Sequence, residues 1–396
     1  MVILEVSKAT KDGFSGHSTE TTKTTSPRRT QKRIRSQGSR RRWRTADTMN
    51  SRENLDNSLE LLHPFSLIHP SSKMRHFPLL DLPLVSKEHV LAMMDPYEWI
   101  NFSLASRKAY SAVKTFLKNK SFLTVIISTE AEPYIVITGK HESWNFEWTQ
   151  TLSMVGYKTN RTGDRKVNTL YKYSENPIES LKLDFGYMRE IIAIELVYVT
   201  FDMKSFPNQN KSITNWLRFH PTCRIEITSS NEQCDDDLKY AMENLVVTDS
   251  MWLRCVDFSQ DFQMELPRTP RIRIDKSSFI SFEQLLKLEN QSISLFRPRL
   301  SAEDINGFVR NWMSCRTHLH LKTFDIDLSN FESMNIIMDV PHEETNDSHI
   351  ANSFDESFQC RCGVREGFDI KRSDGKLARV AVGQLNGGFR FYMITY

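Results

Sequence analysis

Between residues 77 and 120, apolar positions recur at the three- and four-residue spacing of short amphipathic helices. The pattern predicts a first helix after Ser86, a second helix capped by Asp95, and a third helix from about Ser106. In the second helix Pro96 takes the first position and Glu98 the third, which completes a capping box with Asp95. The apolar positions of the first and third helices are Val90, Leu91, Met93, Met94, Ala109, Tyr110, Ala112, Val113, Phe116 and Leu117.

From about residue 123, apolar residues alternate with polar ones, which is typical of strands with one buried face. Residues 123–127 and 134–138 predict two short strands, followed by a polar connection over 159–166. A longer series of strands is predicted to begin at 181–185. It recurs at 223–227, 272–274, 293–295 and 319–326.

Helical patterns separate these strands, the clearest over 301–312 behind a Ser301 cap and another behind Ser281. The strands from 274 to 321 recur at the spacing of leucine-rich repeats, so we expect irregular strand-helix units stacked into a curved sheet. Near the C-terminus, Asp374-Gly375 and Asn386-Gly387 predict β-hairpins. The fold class is therefore α/β (α+β).

Charge divides the chain at about residue 76. Residues 1–76 contain 15 Lys and Arg against 7 Asp and Glu, whereas the whole chain has a net charge of +3, so the remainder is mildly acidic. The Arg-rich stretch 28–44 buries too little apolar surface to fold and predicts a disordered basic tail. Two interpretations stay open: a solvated tail or non-native upstream extension without a function of its own, or a nuclear-import or nucleic-acid contact.

Composition also limits the setting. No segment has the length of apolar residues that a membrane span needs, and the opening residues are too short for a secretory signal. The six cysteines are scattered and are expected to be free thiols. The sequence thus predicts a cytoplasmic or nuclear protein without membrane contact.

Few residues suggest chemistry, because the phosphate-binding, dinucleotide-binding and zinc-protease motifs are missing from the sequence. Cys315, His318 and His320 are spaced like zinc ligands, but four ligands are needed and only a distant Cys360-x-Cys362 could complete them. A helix end followed by a strand explains the same three residues. The acidic run 235–237 is interpreted as a helix start rather than a cation site. We therefore expect no enzyme, no metal and no cofactor.

Residues 77–120 resemble the F-box. The resemblance rests on a leading Leu-Pro, an apolar pair in the first helix, a second helix that begins with Pro, and a third helix. The form of 77–83 is similar to nematode F-box families, although Ser106-Arg107 replaces a common Cys-Lys pair and a Trp usual near the module's end is missing. The resemblance implies that an exposed apolar set binds a Skp-family adaptor: Leu82, Pro83, Val90, Leu91, Pro96, Trp99, Ile100 and Leu104.

A second block, residues 271–330, resembles the F-box-associated type 2 domain of the same families. The two blocks in this order imply a substrate-recognition subunit of an SCF-type cullin-RING ubiquitin ligase. In it the adaptor leads to a cullin, and residues 121–396 bind an unknown target protein through the concave or edge face of the strands after residue 181. The alternative functions are a nucleic-acid-associated scaffold that uses residues 28–44, and, less favoured, a hydrolase with an unrecognised site.

Overall fold

The computed structural model describes residues 79–118, 123–192, 195–229, 234–255, 262–345, 349–385 and 387–396. All of them lie within one compact unit, Phe77–Tyr396. The basic tail predicted for residues 1–76 lies outside the described residues. Within the described ranges, none of the helices combines the length and hydrophobicity of a membrane span.

Three helices open the described part of the chain: α1 (Leu84–Met93), α2 (Pro96–Leu104) and α3 (Arg107–Leu117). The capping box predicted for α2 is formed, since the Glu98 amide donates to Asp95 Oδ1 and the Asp95 amide donates to Glu98 Oε2, each at 2.9 Å. The hydroxyl of Ser106 caps α3 by accepting from the Ala109 amide at 3.1 Å. Local polar signals therefore set where these helices begin.

Five strands follow: β1 (Thr124–Ser128), β2 (Tyr134–Thr138), β3 (Glu142–Thr149), β4 (Gly156–Thr162) and β5 (Arg165–Tyr173). The first three pair antiparallel in sequence order, β5 pairs parallel with β3, and β4 pairs antiparallel with β5 at the edge of the sheet. The predicted polar connection over 159–166 is wrong, because these residues form the tip of the β4–β5 hairpin. Their side chains are mostly exposed, so polarity there indicated an uncovered edge rather than a loop.

Helix α4 (Pro177–Ile191) leads into a parallel ladder of β6 (Glu195–Asp202), β7 (Thr222–Ser229), β8 (Val247–Cys255), β9 (Arg271–Ile274), β10 (Ser292–Leu295) and β11 (Thr323–Leu328). Each strand pairs with the next one in the sequence, and β6 also pairs with β1. The helices α5 (Asn210–Arg218), α6 (Asp235–Asn244), α7 (Phe282–Lys287) and α8 (Ala302–Met313) connect them. Parallel neighbours joined by helices are the arrangement of a leucine-rich-repeat-like solenoid.

The register of this ladder aligns the buried side chains in rows. Alternate residues face the helices, and those of one strand lie opposite those of the next, so the core is continuous across the ladder. One row is Val199, Ile225, Met251, Ile272, Ile293 and Phe324; the other is Phe201, Ile227, Leu253, Ile274, Leu295 and Ile326.

An antiparallel group closes the sheet. It comprises β12 (Glu343–Glu344), β13 (Gly367–Lys371), β14 (Leu377–Leu385) and β15 (Gly388–Thr395), with β15 paired to β11. Gly375 and Gly387 have φ values of +94° and +84°, which explains why the two predicted hairpin turns contain glycine. The short helix α9 (Ser333–Ile337) precedes this group, and α10 (Ile350–Phe358) lies between β12 and β13. The sheet has 15 strands in the described residues, and the mixed α/β class is confirmed.

Two predicted strands are corrected. Residues 181–185 lie in α4, where Leu181, Phe185 and Met188 are buried on one helical face. The alternation of apolar and polar residues that predicted a strand there is short enough to fit a helix as well. The last strand of the series begins at Thr323 rather than 319, because residues 318–321 form a turn in which the Leu321 amide donates to the His318 carbonyl oxygen at 3.1 Å.

Candidate adaptor-binding surface and open strand face

Helices α1 and α2 are joined through a tryptophan. The indole Nε1 of Trp99 donates to the carbonyl oxygen of Leu91 at 2.7 Å, and the Trp99 ring lies 6.2 Å from the Phe116 ring of α3. The acceptor carbonyl belongs to the last turn of α1, where no later helical amide can reach it. Trp99 thus fixes the three helices to one another and is half-buried.

The inner face of the helices is docked on the sheet. The Tyr97 ring meets Phe146 edge-on with a centroid distance of 4.6 Å, and its hydroxyl lies 2.7 Å from the carbonyl oxygens of Asn145 and Asn168. Burial raises the pKa of the Tyr97 phenol, so the group stays a neutral donor. The helices therefore share the hydrophobic core of the strands rather than form a separate bundle.

The structure divides the eight residues that were predicted to bind an adaptor. Leu91, Pro96 and Ile100 are buried in the chain's own core and offer no surface to a partner. The remaining five stay accessible: Leu82, Val90, Trp99 and Leu104 are half-buried, and Pro83 is exposed. Adaptor binding by these five residues stays a prediction.

Three apolar side chains that the sequence analysis did not assign to the interface are the most exposed ones on α1. Leu84, Val85 and Met93 are 66%, 65% and 78% exposed. Only Leu91 of this ten-residue helix is buried. An apolar helix with a single buried residue has more apolar surface than its own core covers, and such a surface is typical of an interaction site. The signal was present in the sequence, because apolar residues occur on more than one face of α1.

A groove of about 440 Å³ lies between the start of α1 and α3. Leu80, Leu84 and Phe116 supply apolar walls, while Asp81 and Lys108 lie at its charged margin. We call Leu84, Val85, Met93 and this groove the α1 surface. It extends around the helix, because Leu84 lines the groove whereas Met93 lies nine residues further on, on the opposite side of α1. Exposed apolar side chains with charged neighbours are typical of protein-binding surfaces.

The second candidate surface is the face of the parallel ladder that carries no helices, from β6 to β11. We call it the open strand face. On β6 and β7 the Tyr198 hydroxyl donates to the buried Glu226 carboxylate, which also accepts from Arg254 Nη1 at 2.7 Å. The hydrogen bond from Arg254 to Glu226 raises the pKa of Arg254, which keeps the guanidinium charged. Polar side chains cover this face in place of an apolar layer.

Aromatic and guanidinium groups alternate along the same face. The Trp252 ring lies 4.2 Å from the Arg273 guanidinium and 5.0 Å from that of Arg254. The Arg273 guanidinium also lies 4.6 Å from the centre of the Phe296 ring. The Arg390 guanidinium lies 3.6 Å from the centre of the same ring. The rings hold the guanidinium groups in fixed orientations.

At its C-terminal end the open strand face is closed by the chain itself. Phe354 and Phe358 of α10 pack against Tyr392 at centroid distances of 6.2 and 4.9 Å. At Gly383 an added Cβ would lie 1.9 Å from the Cys362 carbonyl oxygen, so this crossing of the chain over β14 requires glycine. The accessible part of the face therefore ends near β11.

The residues considered for chemistry are not arranged for it. Cys315 accepts a hydrogen bond from the Ser373 hydroxyl at 3.1 Å, and His318 packs against the Phe308 ring at 4.7 Å. Burial lowers the pKa of His318 to about 4, so it is neutral at physiological pH. No group of three or more His, Cys, Asp or Glu residues in the described ranges could hold a metal ion.

Comparisons with known proteins agree with this architecture. The family model described as F-box domain matches residues 79–121, which contain α1 to α3, and the model described as F-box associated matches residues 257–326. The chain thus carries an F-box followed by an F-box-associated domain, and both resemblances found in the sequence are confirmed.

A second comparison adds the nematode connection. An uncharacterized protein of Caenorhabditis elegans is 22% identical over 333 residues, covering 78% of this chain and 76% of the relative. No solved structure matches the chain.

Proposed function

We propose that this protein is the substrate-recognition subunit of an SCF-type cullin-RING ubiquitin ligase. The α1 surface, with the still accessible Leu82, Pro83, Val90, Trp99 and Leu104, binds a Skp-family adaptor, and the adaptor connects the chain to a cullin. The open strand face binds the target protein. The chain itself performs no chemistry, and its contribution to the ligase is proximity between the target and the transferred ubiquitin.

The exposed apolar side chains of α1 support the adaptor half of this proposal most directly. Leu84 and Met93 project into solvent from a helix of the matched F-box, although the core lies directly beneath it. Leaving such side chains in water costs about 1.5–3 kcal/mol each relative to burial. A partner that covers them recovers this free energy on binding.

The test is capture of a purified Skp-family adaptor by the full chain. We expect the double variant Leu84→Asp with Met93→Asp to weaken capture at least about tenfold, because each carboxylate would have to be desolvated in an apolar contact. The matched control is Leu152→Asp with Leu183→Asp, since both leucines are 71% exposed but lie outside the F-box. Equal capture by the two double variants would contradict the proposal.

Point variants are preferable to deletion of the F-box. Removing residues 77–120 would uncover Phe146 and its neighbours, which pack against Tyr97. A chain without the F-box would then lose adaptor binding for two reasons, loss of the surface and loss of the fold. The exposed positions of α1 avoid this ambiguity because they make little contact with the core.

A further inference from the structure

Four arginines form the outermost charged layer of the open strand face on β7, β8 and β9. Between 42% and 47% of each side chain is exposed. We call Arg224, Arg254, Arg271 and Arg273 the arginine cluster. Their strands are hydrogen-bonded neighbours, so the four guanidinium groups occupy one continuous area.

The carboxylates that pair with the cluster are fewer and lie deeper. Asp249 is shared by Arg224 and Arg271, and Asp275 is shared by Arg254 and Arg273. These two carboxylates are 33% and 31% exposed, and the third partner, Glu226, is only 6% exposed. The outward charge of the cluster is therefore positive.

Each guanidinium keeps donors for a ligand. A guanidinium carries five N–H donors, and Arg273 uses its Nε toward Asp275 at 3.2 Å while its Nη groups make no hydrogen bond to the described residues. The flanking rings of Trp252 and Phe296 hold the plane of Arg273 in place. A fixed guanidinium loses little freedom when it binds a carboxylate through two parallel hydrogen bonds.

Acidic residues at both margins limit the positive area to these three strands. On β6, Asp202 accepts from the hydroxyls of Thr228 and Ser205. On β11, Asp325 and Asp327 are held by the buried Arg390. These margins would repel an acidic ligand that ran past the cluster, so the cluster fits a short acidic segment.

We propose that the open strand face recognises a short acidic segment of the target polypeptide, with the arginine cluster binding its carboxylates. This inference rests on the proposed function and names the chemistry of the target. A single-stranded nucleic acid fits less well. Proteins that bind it stack bases on free aromatic rings, whereas the rings of Trp252 and Phe296 each already have two guanidinium groups within 5.0 Å.

The test measures binding of a fluorescent decaglutamate peptide to the full chain, with decaglutamine as the neutral peptide and a ten-nucleotide oligothymidylate as the nucleic-acid probe. We expect Arg271→Gln with Arg273→Gln to weaken decaglutamate binding about tenfold, because charge-assisted hydrogen bonds are lost. The matched control is Arg161→Gln with Arg361→Gln, which removes the same charge from exposed positions outside the face. It should bind decaglutamate as the unchanged chain does.

Three results would overturn the inference. Equal binding by both double variants would place the peptide elsewhere, for instance on the Arg-rich residues 28–44. Decaglutamine binding as tight as decaglutamate would remove the role of charge. Oligothymidylate binding that is tighter and equally sensitive to Arg271 and Arg273 would assign the face to nucleic acid.

Adaptor capture, measured on the same variants, separates this inference from the proposed function. The arginine variants should capture the adaptor normally, because the arginine cluster lies on β7 to β9 and contributes nothing to the α1 surface. Loss of peptide binding with normal adaptor capture supports both proposals. Peptide binding by a chain that captures no adaptor would contradict the proposed function alone.

Discussion

Arg390 is the side chain whose replacement should cost the sheet most. It is 1% exposed, its Nε donates to Asp325 Oδ2 at 2.7 Å, and its Nη groups reach Asp327 and the Ser294 hydroxyl. Arg390→Met keeps most of the volume and removes the charge, which leaves the buried Asp325 without its hydrogen-bonded counter-ion. Breaking one partner out of a buried ion pair typically costs about 3–5 kcal/mol, and we expect a loss of that size in the free energy of unfolding.

The loss should depend on pH in a defined direction. Burial raises the pKa of Asp325 above its ordinary value, and the Arg390 guanidinium opposes that rise. Without Arg390 the pKa of Asp325 in the folded state rises further, whereas in the unfolded chain Asp325 has its ordinary pKa of 3.8. Between these two pKa values the folded chain holds a proton that the unfolded chain has released. Stability then falls as pH rises above about 4. Arg390→Met should therefore be less harmful at pH 4 than at pH 7.

Urea unfolding followed by tryptophan fluorescence, at pH 4.5 and 7.5, measures both effects. The matched control is Arg361→Met, an exposed arginine that we expect to change stability by no more than about 0.5 kcal/mol. Adding Asp325→Asn to Arg390→Met should recover part of the loss, because an amide is cheaper to bury than a carboxylate. An Arg390→Met chain as stable as the control, or a double variant less stable than Arg390→Met at pH 7.5, would refute the reasoning.

Two further stability predictions concern the N-terminal strands. Burial and the adjacent Glu132 carboxyl raise the pKa of Glu147 to about 7, so the folded state favours its protonated form and stability should fall as pH rises from about 4.5 to 7. At pH 8, Glu147→Gln should raise the free energy of unfolding by on the order of 1 kcal/mol, a value that already allows for solvent screening of a half-exposed group. At pH 4.5 the same substitution should have little effect on stability. Equal effects at both pH values in urea titrations would contradict this prediction. Tyr97→Phe removes the hydroxyl that reaches the carbonyls of Asn145 and Asn168, and should cost about 1–3 kcal/mol by the same titration. A neutral result would show that the hydroxyl adds nothing to the docking of α2.

Local polar signals in the sequence predicted four helix starts correctly, whereas the first helix begins at Leu84 rather than after Ser86. The capping residues Asp95, Ser106, Ser281 and Ser301 all begin helices in the structure. A cap depends on one side chain and an amide two or three residues away, so its energy is set within a single turn. The same locality explains why the glycine of Asp374-Gly375 predicted its hairpin turn.

The errors occurred where tertiary contacts decide between alternatives that are locally similar. Alternating residues predicted a strand at 181–185, but the buried positions Leu181, Phe185 and Met188 follow the helical period once the whole of α4 is considered. The exposed hairpin of β4 and β5 was missed for a related reason. Among the described strands its outer strand, β4, pairs only with β5, and its side chains therefore lack the apolar alternation of a buried strand.

The candidate surface was harder to predict than the fold. A sequence shows that a helix is apolar but does not show which of its apolar residues the rest of the chain covers. The sequence predicts that Ile100 lies at the interface, but the structure buries it, whereas Leu84 and Met93 are exposed although the sequence pattern does not place them there. The decision depends on where β3 and β5 dock against Tyr97, a contact between residues up to 71 positions apart in the chain. Such long-range contacts leave no local pattern.

The same contact determines how the two proposed surfaces are related. Tyr97 fixes α2 to β3 and β5, and an uninterrupted series of hydrogen-bonded strands connects β3 to the arginine cluster on β7 to β9. The α1 surface and the open strand face are therefore parts of one packed unit, because the helices and strands that carry them share one hydrophobic core. In the proposed ligase an acidic target segment would be held at a fixed position relative to the adaptor. Fixed positioning raises the effective concentration of the target near the transferred ubiquitin, which is the only rate enhancement that a subunit without chemistry of its own can supply.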